Sequence, residues 1–275
     1  MNLKGTCEME FPGDRKPRTQ PWLLFKVGSA ERIEQMRKGL LYMNSLDFFS
    51  RLDGEEALSL RKDEQENVFS NLEAKSGEGF RSEIELAYGN GDERKSILLN
   101  QGASITLGMP RPSNTFLFCM GAIANDANGK IQGEENGELS LNSRFVEFGD
   151  TTLLINSPSE FSKRVSAAIA NDKGLFSSPF MEGCYGLVDY VDFQKFSGNI
   201  GVFRKDKIYE WQREFRMILG AENEALNPSG AYELNIGDIS DICSVLDTKS
   251  LTDTPFKVKL RKFSKVGDGY EIVDG

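Results

Sequence analysis

The stretch Lys205-Asp206-Lys207-Ile208-Tyr209-Glu210-Trp211-Gln212-Arg213-Glu214-Phe215-Arg216-Met217-Ile218-Leu219 is the most informative in the chain. Read as a strand, it sets Tyr209, Trp211, Arg213, Phe215 and Met217 on one face and Glu210, Gln212, Glu214 and Arg216 on the other. Two carboxylates and an amide beside an arginine make either a solvated sheet surface or a pre-arranged hydrogen-bonding site. Charged strand faces are ordinary, so the pattern alone leaves both open. Gln212 and Glu214 lie two strand residues apart, about 7 Å. That spacing suits one group gripping a sugar hydroxyl while the other orients an incoming nucleophile.

The chemistry open to these residues is bounded by what the chain lacks. It contains no histidine. Ser-His and Cys-His nucleophile pairs, HExxH zinc sites, histidine general bases and histidine-ligated metals are thereby excluded, since each needs an imidazole. A mechanism in which one carboxylate stabilises an oxocarbenium-like transition state is among the few that remain. No GxxxxGK loop ending in Ser or Thr and no GxGxxG occurs, which argues against ordinary triphosphate and dinucleotide folds.

A second cluster is Arg61-Lys62-Asp63-Glu64-Gln65-Glu66-Asn67. Asp63, Glu64 and Glu66 could hold a hard cation such as Mg²⁺ for a metal-dependent nuclease. A mixed-sign run after a turn is more often a solvated helix start with internal charge pairing. A third reading has Arg61 and Asp63 facing the same cleft as Glu214 and helping to hold a phosphate. Cys119 and Cys184 sit in apolar strands and read as core. The alternating Lys257, Lys259, Arg261, Lys262 and Lys265 read either as a basic edge for a phosphate-bearing partner or as an edge strand protected by lysines.

The elements that must position these residues follow from pattern. Residues 1–21 hold three prolines and read as an extended lead-in. Trp22 to Val27 is a short apolar strand, Ser29 opens a helix carrying Ile33, Met36 and Leu40, Gly39 stops it, and Leu41 to Phe49 reads as a second strand. Strands are predicted at Phe80–Tyr88 and Ser104–Met109, separated by Gly89-Asn90-Gly91-Asp92, and a doubly buried central strand at Thr115–Ile123. Asn125 to Asn142 is a loop. A second helix begins at Ser157 and Pro158, with Glu160 completing a capping box and Phe161, Val165, Ala168 and Ile169 on one stripe. Five strand-like stretches follow, at Gly183–Phe193, Gly201–Phe203, Tyr209–Leu219, Ala231–Ile236 and Phe256–Phe263.

The sum is a mixed, mainly antiparallel sheet of about eight strands with two main helices, an α+β fold over 22–275 with no repeat or linker. A length of 275 residues allows one large domain or two small ones, and one is preferred. The net charge of −9 makes phosphate-backbone attraction a local rather than a global property. Cys7, Cys119, Cys184 and Cys243 form no CxxC pair, which with the lack of an apolar leader or membrane-length run leads us to expect a cytoplasmic protein with no membrane association.

Together the late Gln212-x-Glu214 and the early Leu23-Leu24-Phe25-Lys26-Val27 resemble the ADP-ribosyltransferase fold, in the branch whose late strand carries Gln/Glu-x-Glu. The chain is also similar to uncharacterised bacterial and phage proteins with a late Tyr-x-x-Gln/Glu-x-Glu-Phe/Tyr-Arg strand. The resemblance implies that Glu214 holds the nicotinamide ribose 2′-hydroxyl of NAD and stabilises the developing cation, while Gln212 positions a macromolecular acceptor, protein or nucleic acid. Lys26 stands where the family has Arg or His, and Ser45 is what remains of its Ser-Thr-Ser. Lys26, Tyr42, Ser45, Arg61, Asp63 and Arg216 form the expected NAD-binding set, with no metal. A toxin, defence effector or phage-encoded modifier is the function implied. The competing readings are a non-catalytic interaction protein that blocks a partner, and the nuclease.

Overall fold

The computed structural model describes residues 21–51, 65–77, 80–81, 83–90, 93–125, 128–131, 134–136, 138–178, 181, 185–194, 196, 198–257, 262–266 and 269–273. Its centre is the apolar strand expected at 115–123, which is buried along almost its whole length. Nine strands build the main sheet: β1 Leu23–Gly28, β2 Leu40–Ser45, β3 Thr115–Ile123, β4 Thr151–Ile155, β5 Leu175–Phe176, β6 Tyr185–Leu187, β7 Glu214–Ala221, β8 Tyr232–Asn235 and β9 Cys243–Asp247. Along the sheet they run β5-β7-β3-β1-β4-β9, each pair antiparallel, with β6 lying against the first half of β7.

One edge of β3 is divided. Its last residues pair with β1 (Phe25 opposite Gly121) and its first with β2 (Asn44 opposite Leu117), which in turn pairs with β8. Between them Phe118, Cys119 and Met120 have no strand partner on that side among the described residues. The sheet therefore parts at its centre, and β1 and β2 diverge from the parting.

Among the described residues four α-helices accompany the sheet. α1 (Ala30–Arg37) starts at Ser29, whose hydroxyl accepts from the Arg32 amide. It stops at Gly39, where φ is +99° and any side chain would collide with the backbone of Gly237. α2 (Leu46–Ser50) is capped by Ser45, α3 spans Pro158–Asn171, and α4 is Thr248–Asp253. Ile33 and Met36 of α1 and Phe161 and Val165 of α3 pack with Leu24, Leu153, Ile155, Phe215 and Met217 into the largest core cluster. Burying such side chains stabilises by about 1.5–3 kcal/mol each, so this layer fixes the sheet from one side. The other face carries two smaller clusters, around Leu117, Phe203 and Ile218 and around Phe25, Phe145 and Leu154.

The chain is thus a strand-rich α+β protein with antiparallel sheets and few helices. Several boundaries differ from expectation for local reasons. The second strand ends at Ser45 rather than Phe49, because the Ser45 hydroxyl takes the Phe48 amide at 3.1 Å and starts α2. The turn at Gly89 closes a hairpin of Ile84–Tyr88 with Lys95–Leu99, whereas Ser104–Gly108 pairs with Val68–Glu73. Gly201–Phe203 is a turn, not a strand. Glu160 makes no capping box and instead meets Lys163 and Arg164. β4 and β9, both half-apolar and short, escape the pattern reading altogether.

Candidate functional site

The largest departure falls on the stretch that holds Gln212 and Glu214. Lys207–Gln212 is a 3₁₀ helix opened by Asp206, whose carboxylate accepts from the Ile208 amide, and Arg213 adopts a left-handed conformation (φ 44°, ψ 50°) before β7 begins at Glu214. The expected single strand from Tyr209 is therefore broken, and its faces do not exist as drawn. Trp211 packs on Phe145 and Phe148, and Tyr209 lies beneath Lys205, while Phe215 and Met217 join the main core. Gln212 and Glu214 still meet, though through a partner rather than through alternation.

That partner is Lys205, 4% exposed. Its ammonium donates to Gln212 Oε1 at 3.0 Å and to Glu214 Oε2 at 3.2 Å. Arg216, two residues along β7 and on the same face, donates from Nε to Glu214 Oε1 at 2.5 Å, from Nη1 to the Val202 carbonyl at 2.9 Å, and pairs with Glu66 at 2.8 Å. The result is a buried chain of alternating charge, Lys205, Glu214, Arg216, Glu66, in which each ion is compensated. The Glu214 amide donates to the Tyr190 hydroxyl at 2.8 Å.

Burial opposes ionisation of Glu214, but the charges of Arg216 and Lys205 outweigh it and hold the carboxyl far below the usual carboxylate range. Burial together with Glu214's negative charge pushes the Cys119 thiol and the Tyr190 hydroxyl well up. Lys205 and Arg216, which burial would discharge, are raised by Glu214 instead. The floor is thus ionised carboxylate and cations at any ordinary pH.

This floor lies at the bottom of a cleft of about 800 Å³ that opens at the parting of β1 and β2. Glu214, Gln212, Arg216, Lys205 and Glu66 line it together with Lys26, Tyr42, Asn44, Phe48 and Phe118. The volume lies within the range of cavities that take cofactor-sized ligands. Phe25 shares the floor because its register partner is Gly121, whose missing side chain leaves the space that the Phe25 ring fills. Lys26, one residue on, reaches the parting from the other face: its ammonium donates to the Cys119 carbonyl at 2.5 Å and sits over the Phe118 ring.

Of the residues proposed from sequence, Glu214, Gln212, Arg216, Lys26 and Tyr42 line one cleft. Tyr42 stands at its rim with its hydroxyl on Ser229. Ser45 does not line it, its hydroxyl being used as the cap of α2. Arg61, Asp63 and Glu64 lie outside the described residues, but Glu66 of the same run is present as the counter-ion of Arg216. Among the described residues no group of three or more Cys, Asp or Glu side chains is placed to hold a metal ion, and no helix is long and apolar enough to cross a membrane.

Lys205 and Tyr190 escaped the sequence reading. Lys205 is nine residues from Glu214, an odd spacing that puts the two on opposite faces of any continuous strand; only the 3₁₀ turn and the left-handed Arg213 bring them together. Tyr190 carries no sequence signal. No family model, curated protein or solved structure matches the chain.

Proposed function

We propose that the chain is an ADP-ribosyltransferase-type protein that takes NAD into the cleft at the parting of the sheet and passes ADP-ribose to a macromolecular acceptor. The observation that carries this reading is the ionised carboxylate of Glu214 on the floor of a cleft of cofactor size, beside the amide of Gln212. Departure of nicotinamide leaves positive charge on the ribose, and a fixed, permanently ionised carboxylate in a partly desolvated floor is the group that stabilises it. In the proposed step the C1′–N bond breaks with its electron pair passing to the nicotinamide nitrogen, which leaves neutral. The acceptor heteroatom bonds to C1′ and releases its proton to solvent. Lys26 supplies positive charge near the cleft for a diphosphate, Arg216 being committed to Glu214 and Glu66, and Phe48, Phe118 and Tyr42 supply aromatic surface for planar rings.

The test is incubation of the full chain with NAD labelled in the nicotinamide ring. Release of free nicotinamide by the wild type, lost in a folded Glu214→Gln variant, is the expected result. A second reading rests on a different feature of the same residue: both Glu214 oxygens are engaged by cations and the side chain is only 6% exposed. Such saturation favours a structural ion network in a protein that binds and blocks a partner. Absence of both nicotinamide release and NAD binding by calorimetry would sink the transferase reading and leave this one.

A further inference from the structure

The short strands Asp189–Val191 and Arg204–Asp206 form a two-stranded parallel ladder in which Tyr190 is opposite Lys205. Neighbours in register on parallel strands present their side chains to the same side. Both side chains run to one residue. The Tyr190 hydroxyl accepts from the backbone amide of Glu214, and the Lys205 ammonium donates to its carboxylate and to Gln212. The ladder is seated by its own contacts, with the Asp189 amide donating to the Phe203 carbonyl at 2.8 Å and the Val188 amide to the Glu214 carbonyl at 2.9 Å. Glu214 is therefore held at its amide and carboxylate by this ladder, and at its carbonyl by Val188, the residue that joins β6 to the ladder.

We infer that this ladder is a bracket for the candidate site, with Lys205 and Tyr190 as positioning residues that set the Gln212–Glu214 pair in its working geometry. The need for it is local. Left-handed Arg213 ends strand geometry between the two members of the pair, so backbone alternation does not align them and a third group must. Lys205 does so by bonding both side chains at once, and Tyr190 fixes the amide from which the Glu214 side chain departs. The inference rests on Glu214 and Gln212 being the working pair of the proposed reaction, and its test separates the two claims.

Lys205→Met, Lys205→Arg and Tyr190→Phe are made in the full chain and checked for folding by circular dichroism. Two readouts are taken: nicotinamide release from NAD, and ¹³C NMR titration of the Glu214 carboxyl, identified by its absence in Glu214→Gln. The groups facing that carboxyl are Lys205, Arg216, Cys119 and Tyr190, with Glu66 beyond Arg216. Lys205→Met is expected to move the carboxyl titration upward and to lower kcat by about tenfold or more with KM for NAD within about threefold, the pattern of lost alignment. Lys205→Arg, which keeps a cation, should recover part of both. Tyr190→Phe should lower kcat while leaving the carboxyl titration low, since it removes only the contact to the amide.

A folded Lys205→Met with wild-type kcat and wild-type carboxyl titration overturns the inference, as does Lys205→Arg behaving no better than Lys205→Met. If Lys205→Met does not fold, Lys205→Arg and Tyr190→Phe decide in the same way. If the wild type releases no nicotinamide, the transferase reading falls, and the carboxyl titration alone decides whether Lys205 holds Glu214.

Discussion

Glu214 is held by two buried cations, and Arg216 by two buried carboxylates, so removing any member leaves an uncompensated charge in the interior. Breaking such a pair costs about 3–5 kcal/mol, so Arg216→Met should lower the urea unfolding midpoint sharply, where substitution of an exposed cation such as Lys163 leaves it nearly unmoved. The same depressed carboxyl makes stability depend on pH. Its contribution is complete above the unfolded glutamate value of about 4.3 and is lost as pH falls below it, because the unfolded chain then binds a proton that the folded chain refuses. Stability measured between pH 6 and pH 3 should therefore fall more steeply for the wild type than for Glu214→Gln. The proposed reaction should have the opposite character. Glu214 is lowered and Cys119, Tyr190, Lys205 and Arg216 are all raised, so none of these five titrates near neutrality, and the chain has no histidine. The rate of NAD hydrolysis to water should be flat from about pH 5 to pH 9, and a bell-shaped profile would contradict the floor described.

At the scale of elements, the turn at Arg213 is the hinge of the site. A non-glycine residue in the left-handed region costs about 1 kcal/mol, more for a β-branched one. Arg213→Gly should keep the turn and the cleft, whereas Arg213→Val should lose about 1–2 kcal/mol relative to it in chemical denaturation, with weaker ligand binding. This turn is also where legibility of the sequence ends. The apolar run Thr115–Ile123 and the helix from Pro158 could be read directly, since a doubly buried strand and an amphipathic helix state their environments in residue type. Ser45 was legible as a residue of interest but not as a cap, because the hydroxyl that caps α2 is the same hydroxyl a ligand would use. Gln212 and Glu214 were legible as a pair because their types suit one chemistry. The reason they meet was not, because it depends on Lys205 and Tyr190 arriving from a ladder whose register no local pattern encodes.

At the scale of the molecule, a ligand that binds only the folded chain raises its stability by about 2.7 kcal/mol at a hundredfold excess over Kd, so NAD should raise the thermal midpoint of the wild type if the proposed function is right. The hairpin Ile84–Tyr88 with Lys95–Leu99 carries Leu86, Tyr88, Ile97 and Leu98 exposed. Changing Leu86 and Ile97 to threonine should leave stability within about 0.5 kcal/mol, as expected of surface sites, and leave nicotinamide release unchanged. The parting of the sheet has its own consequence for how the cleft can be watched. In β3 the amide and carbonyl of a residue point to the same side, alternating along the strand; those of Ala122 and its alternates face β7, and those of Cys119 face the parting. A backbone amide at the middle of the central strand, ordinarily the slowest to exchange its hydrogen, is thus turned toward the cavity. Exchange at that single amide should slow when NAD fills the cleft, which would read occupancy from the core outward without a label or a substitution anywhere in its walls.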